Sequence, residues 1–189
     1  MDLEYKDYFN IDCKKKVRNL YETSFPKQEK FPFWILKCCS KQKNVLFNSI
    51  FYQNELIGIE YILKYENSVY LMYFAINEDK RSMGYGTKII KKLSKDYDNV
   101  ILSIERANSS EKLRRKQFYL KNGFYSTNVF YIDAEVEYEI LCTNKNFKVS
   151  NENLNLFYKQ MTNSKILSYI IGKIFNVYNI NFIKWEVVC

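Results

Sequence analysis

Residues 81–90 read RSMGYGTKII: an arginine, two glycines separated by a single residue, and then an apolar pattern of helical period. What flanks this stretch decides the fold. Just before it runs VYLMYFAI (69–76), rich in aromatic and β-branched residues. Just after it, Ile89, Ile90, Leu93 and Tyr97 share one helical face, and VILSI (100–104) follows as the short continuous apolar run of a doubly covered strand. Strand, loop, helix and strand make a βαβ unit, expected to be parallel and right-handed. The glycine loop therefore opens a helix.

Reading outward, Val17 to Phe25 (VRNLYETSF) sets Val17, Leu20, Tyr21 and Phe25 on one helical face and stops at Pro26. A second short helix is expected after FPF (31–33). VLFNSIFY (45–52), LIGIEYILKY (56–65) and VYLMYFAI are joined by the short polar connections QNE and ENS, which predicts an antiparallel meander. Beyond VILSI, Ser109 or Ser110 can cap a helix that runs to about Lys121 and ends at Asn122-Gly123. Two further strands are expected around 124–132 and 136–143. These elements make one domain over 1–143. Residues 144–189 read as a helical extension packed on that domain or in a dimer, with Leu167, Ile170, Ile171, Ile174 and Tyr178 on one face.

Composition excludes several functions. Hydrophobic residues form 47% and aromatics 17% of the 189 residues, which is the make-up of a packed globule. The net charge of +8 invites an anionic partner, but arginine supplies only five of the 29 basic residues. Lysine bias in a chain crowded with Asn, Ile and Tyr explains the charge, and no basic block is interleaved with aromatics, so no nucleic-acid partner is expected. Five cysteines without C-x-x-C spacing, and no histidine at all, argue against a zinc site and against every Ser-His or Cys-His scheme. No metal is expected, and free thiols fit a reducing cytoplasm. The N-terminus has no apolar core of signal-peptide length, and Lys173, Asn176, Asn179 and Asn181 interrupt the apolar stretch 166–185, so no transmembrane segment is expected.

A glycine loop at a helix N-terminus can hold a phosphate, because the first N–H groups lack internal partners and the helix dipole is positive there. Gly84 and Gly86 let oxygens approach the backbone, and Arg81 and Lys88 add charge. A Walker A loop fails on spacing, since Thr87 precedes Lys88. A dinucleotide fingerprint fails too, because Ile89 stands where the third glycine belongs.

The pattern that fits is R-x-x-G-x-G (Arg81, Gly84, Gly86) between a strand and an amphipathic helix, followed by Asn108 and then R-x-x-F-Y-x-x-x-G-F from Arg115 through Phe118, Tyr119 and Gly123 to Phe124. Together these resemble the acetyl-CoA site of the GNAT superfamily of N-acetyltransferases, over roughly residues 15–143. The resemblance implies an α/β (α+β) fold with a mixed, mostly antiparallel sheet and helices on both faces. It implies that Phe74, Ala75 and Ile76 border a V-shaped cleft for the pantetheine arm. The pyrophosphate is expected on the amides of Arg81, Ser82, Met83, Gly84, Tyr85, Gly86 and Thr87, and the Asn108 side chain on the pantetheine. Tyr119 matches the general acid. Glu105, at the end of VILSIE, is the first candidate for general base, with Glu60 and Glu78 behind it. The implied reaction is direct attack of a primary amine, on a small molecule or a protein, on acetyl-CoA. The alternative is a non-catalytic acyl-CoA-binding or interaction module of the same fold.

Overall fold

A computed structural model describes residues 2–133, 135–162 and 181–183. The chain begins with a short strand, β1 (Glu4–Asp7), then α1 (Lys14–Ser24) and α2 (Phe33–Cys39). The meander follows as β2 (Val45–Tyr52), β3 (Glu55–Tyr65) and β4 (Ser68–Ile76). Gln53 and Asn54 turn the first hairpin with φ of 50° and 66°, the two left-handed residues that match the twist of a two-residue hairpin. Next come α3 (Tyr85–Asp96), β5 (Asn99–Glu105), α4 (Ser110–Lys121), β6 (Tyr125–Asp133) and β7 (Val136–Cys142). A further helix, α5 (Asn151–Lys159), and a strand, β8 (Asn181–Ile183), complete the described elements.

The strands form one sheet in the order β1-β2-β3-β4-β5-β7-β6-β8. Every neighbouring pair is antiparallel except β4 and β5. The mixed, mostly antiparallel sheet with helices on both faces is thus as the sequence implies. Alternation along the strands sorts side chains to two cores. On one face Val17, Leu20 and Tyr21 of α1, Ile35 and Leu36 of α2, and Leu154 and Phe157 of α5 pack with Phe47, Tyr61, Tyr73 and Ile101. On the other, Ile90 and Leu93 of α3 and Tyr119 of α4 pack with Leu71, Val100, Leu102 and Ile104.

Two parts differ from the expectation. The edge strand β1 has too little apolar alternation (EYKD) to announce itself, and it forms only because β2 offers a ladder from Glu4↔Phe51 to Asp7↔Asn48. In the C-terminal part, expected as a helical extension, residues 181–183 form a strand that pairs antiparallel with β6. The expected helical face from Leu167 to Tyr178 lies outside the described residues.

β4 and β5 pair for only three rungs, Ser68↔Asn99, Val69↔Val100 and Tyr70↔Ile101. On the β3 side, Tyr61↔Tyr73 is followed by Ile62↔Leu71, so Met72 is an extra residue in β4. Such a bulge bends its strand and resets the side-chain alternation. Leu71 accordingly joins the α3 core and Tyr73, two residues on, the α1 core. From Leu71 to Ile76 the β5-facing edge of β4 has no strand partner among the described residues, and the sheet opens there.

Glu60 is the principal buried charge in the meander. It is 3% exposed, accepts a hydrogen bond from the Asn48 side chain at 2.9 Å, and leaves Oε2 without a partner among the described residues. Burial pushes its carboxyl up to about 7, against an opposing hydrogen bond from Asn48 and the charge of Lys92. The folded protein thus keeps this proton where the unfolded chain has released it. The stability it contributes is complete below the ordinary value of 4.5 and is lost as pH rises through about 7. Glu60→Gln, neutral throughout, should flatten the fall in thermal midpoint between these pH values and raise the midpoint at pH 8 by several degrees, at about 2–4 °C per kcal/mol. An unchanged slope in a calorimetric pH series refutes this.

Candidate active site

The glycine loop stands at the mouth of the opening. After β4 a 3-10 turn, Glu78–Lys80, leads to Arg81, which is exposed and whose Nε donates to the Ile76 carbonyl at 3.2 Å. The Arg81 amide is already committed to the Glu78 carbonyl at 3.2 Å, and the first helical bond back to the loop is from Lys88 N–H to the Gly84 carbonyl. The free run of amides is therefore Ser82 to Thr87, one residue shorter than the sequence suggests. Ser82 has φ of 62° and Gly84, the N-cap of α3, φ of 83°. These left-handed residues turn the backbone so that successive N–H groups face outward from the helix start. Met83 is 58% exposed, whereas Tyr85 is buried and packs against Tyr52 with ring centroids 5.8 Å apart.

Gly84 and Gly86 serve different ends. A Cβ on Gly84 meets nothing, so its role is the positive φ. A Cβ on Gly86 would sit 3.2 Å from Cζ of Phe118 and 3.9 Å from Cγ1 of Ile76, so its role is close approach. That contact joins the loop, the end of β4 and the second sequence motif in one place. Around it, Phe74 is half-buried and packed against the α3 core, and Ala75 is 7% exposed on the opposite face.

Tyr119 follows Phe118 in α4, its ring 8% exposed and packed edge-on between Phe118 and Phe124 at 5.1 and 5.4 Å. Its hydroxyl has no hydrogen bond to a described residue, and burial pushes it up to about 12, only partly offset by Arg115. The hydroxyl is therefore neutral at physiological pH. Asn108, exposed beyond the end of β5, has its amide held by the Arg106 carbonyl at 2.8 Å, and its carboxamide makes no hydrogen bond to a described residue. Ser109 caps α4 through its side chain, 3.3 Å from the Lys112 amide.

Glu105 ends β5, with a side chain 15% exposed, paired with Lys112 and 4.0 Å from Arg115. Burial alone would raise its carboxyl, but a hydrogen bond from Lys112, another from Glu29 and the charges of Lys112 and Arg115 outweigh it and hold the carboxyl low. Glu60 has Lys92 and Asp96 of α3 as its charged neighbours, and Glu78 lies exposed in the loop. A residue that sequence reasoning did not single out, Glu29 of a 3-10 turn (Lys27–Glu29) between α1 and α2, reaches Tyr138, the cross-strand neighbour of Glu105. Its carboxyl accepts from the Tyr138 hydroxyl at 3.0 Å and its carbonyl from the Tyr73 hydroxyl at 2.8 Å. Nothing in its local sequence marks it, because both partners are more than a hundred or forty residues away in the chain. Among the described residues no group of Cys, Asp or Glu is arranged to hold a metal ion, and no helix is long and apolar enough to cross a membrane.

The geometry leaves one clear test. Gly84→Ala should lose about 1–2 kcal/mol to the left-handed backbone. In a double-mutant cycle by denaturant unfolding, Gly86→Ala should cost more with Phe118 present than with Phe118→Leu, because the clash is with that ring. Additive effects would show that the two motifs do not touch.

A family model described as the acetyltransferase (GNAT) family matches residues 14–124. Among curated proteins none matches in sequence. Among solved structures, a putative acetyltransferase from the GNAT family of Bacteroides thetaiotaomicron superposes with a TM-score of 0.67 at 19% identity, over 93% of this chain and 98% of that one. The ribosomal-protein-S18-alanine N-acetyltransferase of Escherichia coli gives 0.56 at 12% identity, over 78% of this chain and 100% of its own. A Bacillus subtilis acetyltransferase in complex with CoA gives 0.55 at 12%, over 76% and 99%. At such identities the likeness is one of fold.

Proposed function

The chain belongs to the GNAT acetyltransferase family, and from that premise we propose that it transfers the acetyl group of acetyl-CoA to a primary amine by direct attack in a ternary complex. The observation that carries the proposal is the junction at Gly86. There an outward-facing run of free amides, a strand edge without a partner and the Phe118-Tyr119 pair of α4 meet. The fit to the cofactor is tested by this chain's own groups: an anion cradle, an open ladder edge for an amide-bearing arm, and a free carboxamide beyond the neighbouring strand.

Bound acetyl-CoA would supply an acetyl thioester whose carbonyl carbon the amine attacks. The amides of Ser82 to Thr87, at the positive end of α3, hold the pyrophosphate, with Arg81 and Lys88 adding charge. Phe74, Ala75 and Ile76 offer main-chain groups to the pantetheine arm, and Asn108 hydrogen-bonds it from the β5 side. A backbone N–H near Ala75 or Ile76 stabilises charge developing on the carbonyl oxygen. Tyr119 returns a proton to the departing sulfur. Glu105, whose carboxyl is held low, draws the proton from the attacking amine directly or through a water chain. The acceptor is an amine of a small molecule or a protein, and the site of action is the cytoplasm, in keeping with four free thiols among the described cysteines.

Thiol release from acetyl-CoA across a panel of amines tests the reading, with binding followed separately by calorimetry. Tyr119→Phe should lower kcat by about 10²-fold or more, within the range for a lost acid, while leaving the Kd for acetyl-CoA within about twofold. Measurable binding with no turnover on any amine would instead identify a non-catalytic module of the same fold.

A further inference from the structure

Gly58 lies in the interior of β3, where a glycine ordinarily weakens a strand. A Cβ there would stand 2.5 Å from the Ala75 carbonyl oxygen, 2.9 Å from Cδ1 of Ile76 and 3.4 Å from its Cα. The first of these atoms is main chain, so it has no rotamer with which to yield. Across the ladder Gly58 is opposite Ile76, and Ile59 is opposite Ala75. The end of β4 therefore rests on β3 more closely than a side chain would allow. Toward β2, the same part of β3 carries a bulge: Ile50↔Gly58 is followed by Phe51↔Leu56, so Ile57 is an extra residue. The carbonyls of Leu56 and Ile57 both meet Asn77, one accepting from its side-chain amide at 2.5 Å and the other from its main-chain N–H at 2.9 Å. Gly58 and Asn77 together pin the last residues of β4 to β3.

The direction of each main-chain group follows. Along an extended strand, successive residues turn their N–H and C=O groups to opposite neighbours. Asn77 donates to β3, so Ile76 faces away from it, toward the gap, and Ala75 faces β3 again. Two contacts agree: the Ala75 carbonyl lies against Gly58, and the Ile76 carbonyl accepts from Arg81 Nε at 3.2 Å. The Ala75 carbonyl and the Ile76 N–H belong to one planar trans peptide and point in opposite directions. Whatever tilts the carbonyl tilts the N–H with it. Resting on the acyl-transfer reading above, we propose that Gly58, with Asn77, is a positioning residue that aims the Ile76 N–H into the wedge, where it serves the thioester end of the pantetheine arm. Gly58 has no side chain to offer a ligand and acts through the peptide it lets close in. The grip on the pyrophosphate is separate, because the amides of Ser82 to Thr87 lie beyond the 3-10 turn at Glu78–Lys80.

Hydrogen exchange on the full chain tests the geometry without a ligand. The Asn77 amide should be protected and the Ile76 amide should exchange about tenfold faster or more. Equal protection of the two overturns the proposal. Calorimetric titration then tests the role with two probes, CoA and ADP, the second carrying the pyrophosphate without the arm. Gly58→Ala should weaken CoA binding by about tenfold or more and leave ADP within about twofold. Asn77→Ala removes only the side-chain bond and should shift the ratio of the two affinities the same way by about threefold, and it carries the test if Gly58→Ala does not fold. Leu154→Ala, a core truncation in α5, should lower the thermal midpoint and leave that ratio where it was. A ratio that moves as far in Leu154→Ala as in Gly58→Ala reports lost stability and overturns the role. Adding Ile76→Val to Gly58→Ala removes Cδ1 but not the Ala75 carbonyl, so CoA binding should stay weak. Full restoration there makes the contact one of side-chain packing and overturns the role, as does a ratio unmoved in both Gly58→Ala and Asn77→Ala, with the acyl-transfer reading left intact. Failure of the unaltered protein to bind either probe overturns that reading, and this role with it.

Discussion

The separation of β4 from β5 is the constraint on which the other features depend. A parallel pair that has begun to hydrogen-bond would ordinarily continue, since each further rung satisfies two backbone groups. Here it stops after Tyr70↔Ile101 because Met72 is an extra residue in β4, and β4 follows β3 instead of β5. The sheet on the far side stays intact, with β5 paired to β7 from Ile101↔Cys142 to Glu105↔Tyr138. Two continuous half-sheets, hinged at three rungs, therefore leave a wedge whose walls are main chain. The glycine loop ends one wall and Glu105 ends the other. Everything placed at the wedge is placed by where these two strands end.

Closing the wedge from one side falls to tyrosines. The hydroxyl of Tyr21 donates to the Phe31 carbonyl at 2.9 Å, and that of Tyr73 joins the Glu29 carbonyl and the Phe31 amide. These hydroxyls satisfy the backbone of a connection that has no regular partner, while their rings extend the core beneath it. Tyr21 and Tyr73 meet edge-on with centroids 5.0 Å apart, and Phe25 lies 4.9 Å from Tyr73. A chain with seventeen tyrosines reads as compositional bias. At these positions phenylalanine would fill the same volume and forfeit these hydrogen bonds to the Glu29 and Phe31 backbone.

How much the sequence disclosed follows from the range of the interactions involved. The meander, the loop, α3 and α4 rest on local signals: turn residues, a cap at Ser109, a stop at Gly123 with φ of 90°, and apolar spacing. They are legible in a window of ten or twenty residues. The loop's free amides follow almost directly from Gly84 and Gly86, apart from the Arg81 amide, which the 3-10 turn before it takes up. The bulge at Met72 has no letter of its own, because it is a property of the register between two strands. Glu29 is illegible for a stronger reason. Its environment consists of Tyr73, Glu105 and Tyr138, which lie on three strands and meet only after the sheet has formed. The same holds for Glu105, whose place at the strand end can be read but whose pairing with Lys112 cannot be ranked against other carboxylates.

The close contact between Gly86 and Phe118 has a mechanical side. It seats the first turn of α3 on α4 one residue before Tyr119, with no side chain between them to compress or rotate. The two helices share one core on the same face of the sheet. That core holds the loop amides and the Tyr119 ring in a fixed relation. The span between the glycine-loop amides and the Tyr119 ring is therefore set by a glycine and a ring, independently of how wide the wedge beside it stands.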